Sequence, residues 1–212
     1  MTPKKENVYK DLQLKIITNE LAPGELLNEK DLMEHYKIGR TPLREIMLQL
    51  QSEHLIQMKP KYGTFVSQID FQEVKEIIEI RKELEGLAGR LAAARIKQEQ
   101  LDELQSIIHQ VEDLQQKGPQ TLENWTQLDF AFHSILYQAT GNKNLTEILQ
   151  KLHNINARFW YHLKFEWNMY SSALNDFKIM VDALKNGDEQ KAHDALINHI
   201  DVFVSNMKSH LL

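Results

Sequence analysis

Asp129 and His133 stand four residues apart, the spacing that brings a carboxylate oxygen and an imidazole nitrogen to one face of an α-helix, from which both can approach one divalent ion. Phe130, Phe132 and Ile135 surround them, so this face is expected to be mostly buried. The other use of such a pair is a hydrogen-bonded Asp–His couple in a metal-free core. Arg40 and Arg44 have the same spacing at a helix start, and arginine's fork matches the O6/N7 edge of guanine and the oxygens of phosphate. Arg81 lies on an otherwise apolar helix face, where its guanidinium can clamp the carboxylate or phosphate of a ligand. Glu85, four residues on, offers a competing intrahelical partner, and the spacing favours that pairing. Catalytic signatures are missing: there is no H-E-x-x-H, G-x-S-x-G, P-loop or G-x-G-x-x-G, and no His follows a Glu by three residues as di-iron bundles require. A metal-dependent bundle enzyme is therefore the weaker alternative to a binding protein.

The elements that must position these groups follow from composition and punctuation. The 212 residues are 42% hydrophobic and contain no cysteine, so there is material for a core but none for disulfides or thiolate metal sites. Only 8 Gly and 5 Pro occur, which favours long helices over a sandwich or barrel. The opening MTPKKENVYK lacks an apolar export core, and no run approaches the roughly 18 apolar residues of a membrane span. A soluble, cytoplasmic protein without a membrane partner is expected. Its net charge of −5 is uneven, because residues 1–69 hold 10 Lys+Arg against 9 Asp+Glu and the acidic excess falls in the rest. Four of the five prolines also lie in the first 69 residues, which sets a domain boundary there: 1–69 and 70–212.

In the first segment Val8, Leu12, Ile16 and Ile17 predict a helix that stops before Ala22-Pro23-Gly24. Asn28 can cap a second helix, and Lys37-Ile38-Gly39 turns the chain into a third, with Thr41 as N-cap and Pro42 as first helical residue. Two short helices across a tight turn form a helix-turn-helix, whose second helix enters the DNA major groove by its N-terminal end. The same geometry also serves protein-interaction modules. His54–Met58 and Thr64–Ser67 are strand-like around a basic turn, giving a two-stranded wing. Lys30, Lys59 and Lys61 flank the arginines as phosphate contacts, and Thr41 with the helix N-terminus can hold a phosphate.

Three ordered pieces, Leu21-Ala22-Pro23-Gly24-Glu25-Leu26-Leu27-Asn28-Glu29, Arg40-Thr41-Pro42-Leu43-Arg44-Glu45 and Tyr62-Gly63-Thr64-Phe65-Val66, resemble the winged-helix domain of the GntR family of bacterial transcription regulators. The resemblance implies operator contacts at Lys30, Arg40, Arg44 and the wing tip Gly63. Two departures stand out: the family's usual Ser before Arg-Thr is Gly39, and its frequent Arg at the first contact is Lys30, which loses bidentate geometry.

Residues 70–212 read as six antiparallel helices, near 70–95, 99–116, 122–139, 144–167, 171–185 and 188–212, with a break at Gly118-Pro119. The overall expectation is a mainly α protein, a winged helix-turn-helix followed by an all-α bundle. Ile80-Arg81-Lys82-Glu83-Leu84-Glu85, Asp129-x-x-x-His133 with Gly141-Asn142, and Ala183-Leu184-x-x-Gly187-Asp188 leading to His199 resemble the six-helix ligand-binding domain of the FadR-like branch. By that resemblance two further histidines would complete a metal site. One falls on His199, but the other falls on Phe177, which cannot ligate. The resemblance thus implies one divalent transition metal (zinc, nickel or manganese) on Asp129, His133 and His199, with water, an effector carboxylate or a side chain such as His162 in the gap. Arg81, His162 and Phe177 are the expected effector-binding residues. The aromatic run Phe159-Trp160-Tyr161 with Phe165 and Trp167 could line a cavity, though core or dimer surface is the favoured reading, while His109, His153, His193 and His210 lack ligand spacing and are expected in solvent. The implied protein is a homodimeric repressor of double-stranded operator DNA, controlled by a small organic acid in the helical domain. A regulator that senses the metal itself is the remaining alternative.

Overall fold

The computed structural model describes residues 3–117, 122–163 and 167–211. The expected Gly118-Pro119 break and Phe165 fall outside the described residues, as do the side chains of Trp167 and His210. Two compact units divide the chain, one of residues 1–74 with 154–164 and one of residues 75–153 with 165–212.

In the first unit, α1 (Pro3–Ile17) buries the expected stripe of Val8, Leu12, Ile16 and Ile17. It packs on α3 (Arg40–Ser52), which buries Leu43, Ile46, Met47 and Leu50. Before α3 come β1 (Leu26–Leu27) and α2 (Glu29–Tyr36). The Asn28 side chain accepts from the Lys30 backbone N–H, and Lys37, in the left-handed conformation, closes α2. The expected cap of α3 is corrected by two residues. Extended Gly39, not Thr41, is the N-cap, and its carbonyl accepts the Leu43 N–H at 3.2 Å. Pro42 is therefore the third helical residue rather than the first, still within the turn whose N–H groups need no intrahelical acceptor. Arg40 becomes the first residue of the helix.

Strands β2 (Ile56–Lys59) and β3 (Gly63–Val66) form the expected antiparallel wing, with Lys59 opposite Gly63 and Ile56 opposite Val66. The hairpin closes through the Tyr62 N–H on the Lys59 carbonyl at 3.0 Å. A third strand is added: β1 pairs with the other edge of β3, Leu26 opposite Phe65, in the order β1-β3-β2. Gly63 has φ +118, a backbone conformation that favours glycine at the wing tip. The C-terminal part of α7 (Lys143–His162) belongs to this unit. Arg158, which burial pushes down to about 10, donates from Nη2 to the Ser67 carbonyl, and Asn19 Nδ2 donates to the Arg158 carbonyl at 3.3 Å. Phe159 meets Phe71 edge to face at 5.3 Å, a core contact as expected.

The second unit is built on α4 (Phe71–Arg95), α5 (Gln98–Lys117), α6 (Leu122–Ala139), the first part of α7, α8 (Trp167–Lys185) and α9 (Glu189–Leu211). Its core draws Leu104, Ile108 and Val111 from α5, Phe132 and Leu136 from α6, Leu149 from α7, Phe177 and Met180 from α8, and Leu196 and Ile200 from α9. Helix α5 packs on α6 and α8, and α8 on α9. Two boundaries differ from expectation: α7 ends at His162 and α8 begins at Trp167. No Gly or Pro marks that break, so periodicity alone ran through it. Helices α4 and α9 come into backbone contact at Gly89, where a Cβ would lie 2.6 Å from the Ala192 carbonyl oxygen.

Candidate functional site

The second unit brings Asp129 and His133 of α6 together with His199 of α9, and one ligand atom from each lies within 4.8 Å of the others. Helix spacing accounts for the first two and the packing of α9 for the third. His133 is 1% exposed, and its Nδ1–H donates to the Asp129 backbone carbonyl at 3.0 Å. This bond fixes the tautomer and leaves the Nε2 lone pair buried with no hydrogen-bond partner. His199 is oriented in a similar way, with Nδ1 at 3.0 Å from Asp176 Oδ2. Metal-bound histidines are commonly held by such a carboxylate on the far nitrogen.

The electrostatics agree. Burial pushes the His133 imidazole well below its ordinary value, outweighing Asp129 and Glu85. Burial alone would raise the Asp129 carboxyl, but His133, His153 and His199 hold it below the usual carboxylate range. At neutral pH the carboxylate is charged and the His133 imidazole neutral, the states a metal requires. The orphaned Nε2 and this donor set fit a divalent ion of the zinc, nickel or manganese kind.

Two residues here were missed or misread. His153, expected in solvent, is 5% exposed, and its Nε2 lies 3.2 Å from Asp129 Oδ2. Leu145, Leu149 and His153 form an i, i+4 stripe that is buried throughout, so the signal was present on α7. Asp176 likewise continues the buried stripe of Met180 and Leu184 on α8. The remaining histidines behave differently: the His109 side chain is exposed, and His193 is partly covered and paired with Asp194 at 2.8 Å.

The effector candidates separate. Phe177 is fully buried and lies flat on Phe132, with ring centroids 3.8 Å apart, so it forms an apolar wall beside His133. Arg81 is 2% exposed and its Nη2 donates to Glu85 Oε1 at 2.6 Å, the partner the spacing favoured. Tyr137 Oη donates to the same oxygen at 2.6 Å. His162 is exposed at the end of α7 and is not among the clustered ligands.

In the first unit Lys30, Arg40, Thr41, Arg44, Lys59, Lys61 and Gly63 are all exposed. Arg40 and Arg44 occupy the first and fifth positions of α3, and among the described residues neither is ion-paired. Lys59 Nζ rests 5.6 Å from the Phe65 ring centroid. Tyr62, at 77% exposure, is a further wing-tip group that sequence reasoning did not single out. This cationic helix start beside a basic wing is the geometry of a winged-helix DNA reader.

Comparison with known proteins bears on both units. Residues 4–66 match the gntR family of bacterial regulatory proteins, and residues 76–202 match the FCD domain. The chain is 30% identical over 198 residues to the HTH-type transcriptional repressor RspR of Escherichia coli K12, covering 93% of this chain and 86% of that one. It is 31% identical over 202 residues to an uncharacterized HTH-type transcriptional regulator of Streptomyces ambofaciens, covering 92% and 81%. The solved structure of E. coli McbR/YncC superposes with a TM-score of 0.84 at 23% identity, covering both chains completely, which shows the fold. The fold and sites define a helix-turn-helix transcription regulator with an all-α sensor domain. The chain belongs to the GntR family, with an FCD domain after its winged helix.

Proposed function

We propose that this regulator is a homodimeric repressor whose residues 1–69 read operator DNA and whose residues 70–212 bind a divalent transition metal and a small organic acid. The buried, partnerless Nε2 of His133 beside Asp129 and His199 carries this reading. Those three residues hold the ion, which supplies a positive centre for a carboxylate ligand; Phe177 walls the pocket on one side. Arg40 and Arg44 read base edges, while Lys30, Lys59, Lys61, Thr41 and the Gly63 wing tip meet phosphate. One winged helix per chain supplies one reading head, so a palindromic operator needs two copies. An effector that binds the DNA-incompetent arrangement more tightly shifts the population toward it and releases the operator. Support for repression comes from the name of RspR, a repressor.

The test uses a duplex selected from a random pool by the full-length protein. Anisotropy titrations at fixed salt are run with chelator, with zinc, nickel or manganese alone, and with each metal plus a panel of di- and tricarboxylates. Release of DNA only when metal and a carboxylate are both present supports the reading. Release by metal alone moves the assignment to a metal sensor, and no response to either overturns it.

A further inference from the structure

Phe177 occupies the position where the resemblance calls for a ligating histidine, and its ring lies against Phe132 with 4° between the planes, which leaves that corner of the site without a donor. Helix α7 delivers an imidazole that the resemblance does not assign. We propose that His153, which stands against Asp129 but outside the group whose ligand atoms all lie within 4.8 Å of one another, is the relocated ligand and closes on that group, so that the metal centre of this chain consists of Asp129, His133, His153 and His199.

Four observations carry this. His153 is buried, and neither of its ring nitrogens has a hydrogen-bond partner. Its Nε2 stands 3.2 Å from Asp129 Oδ2, an ion-pair contact that helps to hold that carboxyl down but lacks the geometry of a well-formed hydrogen bond. Two donors about 2.1 Å from one ion are about 3.0 Å apart at a right angle and about 3.4 Å apart at the tetrahedral angle, so the contact has the spacing of two ligands of one metal. Its ring is 4.4 Å from that of His133, and Phe130 meets it edge-on at 4.9 Å, which holds its orientation. A core histidine kept only for packing would be expected to satisfy at least one nitrogen. Leu149 and Leu145, one and two turns earlier, bury the face of α7 that aims His153 inward, so the placement belongs to the helix rather than to a loop.

The inference rests on the reading that this site holds a metal, and the experiment separates the two. Full-length protein is stripped with chelator, titrated with zinc in a competition assay, and the 1:1 zinc complex is examined by X-ray absorption, whose multiple scattering counts imidazoles. Three imidazoles in the wild type and two in His153→Gln are expected. The variant should lose more than the about 10- to 100-fold in affinity that follows from removing a group only hydrogen-bonded to a ligand. His109→Gln, at an exposed histidine, should match the wild type. Two imidazoles in the wild type overturn the assignment of His153 while leaving the metal reading standing, and require no variant to fold. Equal zinc affinity of His153→Gln and wild type overturns it as well. A wild type that takes up no zinc, nickel or manganese removes both.

Discussion

Removing one member of the Arg81–Glu85 pair should cost far more than removing the whole network. Both side chains are essentially inaccessible, at 2% and 0% exposure, and meet at 2.6 Å. Burial on its own would push the Glu85 carboxyl up, but Arg81, with His133 and Tyr137 adding to it, holds it below the ordinary range. Arg81→Met leaves a buried carboxylate with the Tyr137 hydroxyl, and Glu85→Leu leaves a buried guanidinium with no carboxylate and only the Tyr137 oxygen beside it; breaking such a pair costs about 3–5 kcal/mol. At about 2–4 °C per kcal/mol for a chain of this size, each single variant should melt about 6–20 °C lower. The double variant should recover only partly, because the Tyr137 hydroxyl loses its acceptor at a cost of about 1–3 kcal/mol. Adding Tyr137→Phe removes that orphan, and the triple variant should return to wild-type stability or exceed it. The assay is thermal unfolding of the metal-free full chain by circular dichroism at pH 7.5. An Arg81→Met melting point within about 2 °C of wild type would refute the structural role and return Arg81 to the effector candidates.

Three other outcomes are expected. Arg44→Ala should weaken binding to a selected operator by about 1–3 kcal/mol and relax preference at one base pair, whereas Lys61→Ala should weaken all duplexes alike and lower the salt slope by about one; anisotropy against salt checks both. Asp176→Asn keeps the shape beside His199 but removes the charge, and should reduce zinc affinity about 10- to 100-fold in a chelator competition. The metal-free protein should lose stability as pH falls below about 6.5. The folded His133 binds its proton less readily than the unfolded chain does, so acid favours unfolding through that window, and Asp129 extends the loss to lower pH. Urea midpoints from pH 7.5 to 5 should show this slope, and His133→Gln should flatten it.

The parts legible in the sequence were those written in local spacing. The α1 stripe, the α2 cap at Asn28, the wing and the Arg81–Glu85 pair all lie within a few residues of their partners. Strand β1 was hidden because two residues carry no alternation, and its pairing with β3 is a contact some 38 positions away. The α3 cap was misplaced by two residues because Thr41-Pro42 satisfies the rules for the first turn in more than one register. His153 and Asp176 show a different failure. Each sits in an apolar stripe as the single polar member, and judging ligands by spacing along one helix passed over groups that meet only when α6, α7, α8 and α9 assemble.

The backbone contact at Gly89 has a consequence for genetics. A methyl group added there would collide with the Ala192 carbonyl oxygen at 2.6 Å, and α9 would have to move to make room. His199 lies seven residues further along that helix, about 10 Å away, and moves with it. Gly89→Ala is thus a silent-looking change, at a residue that is neither a candidate ligand nor a candidate operator contact, that would misplace a ligand. A selection for alleles that bind the operator but no longer answer the effector should return Gly89 alongside His133 and His199.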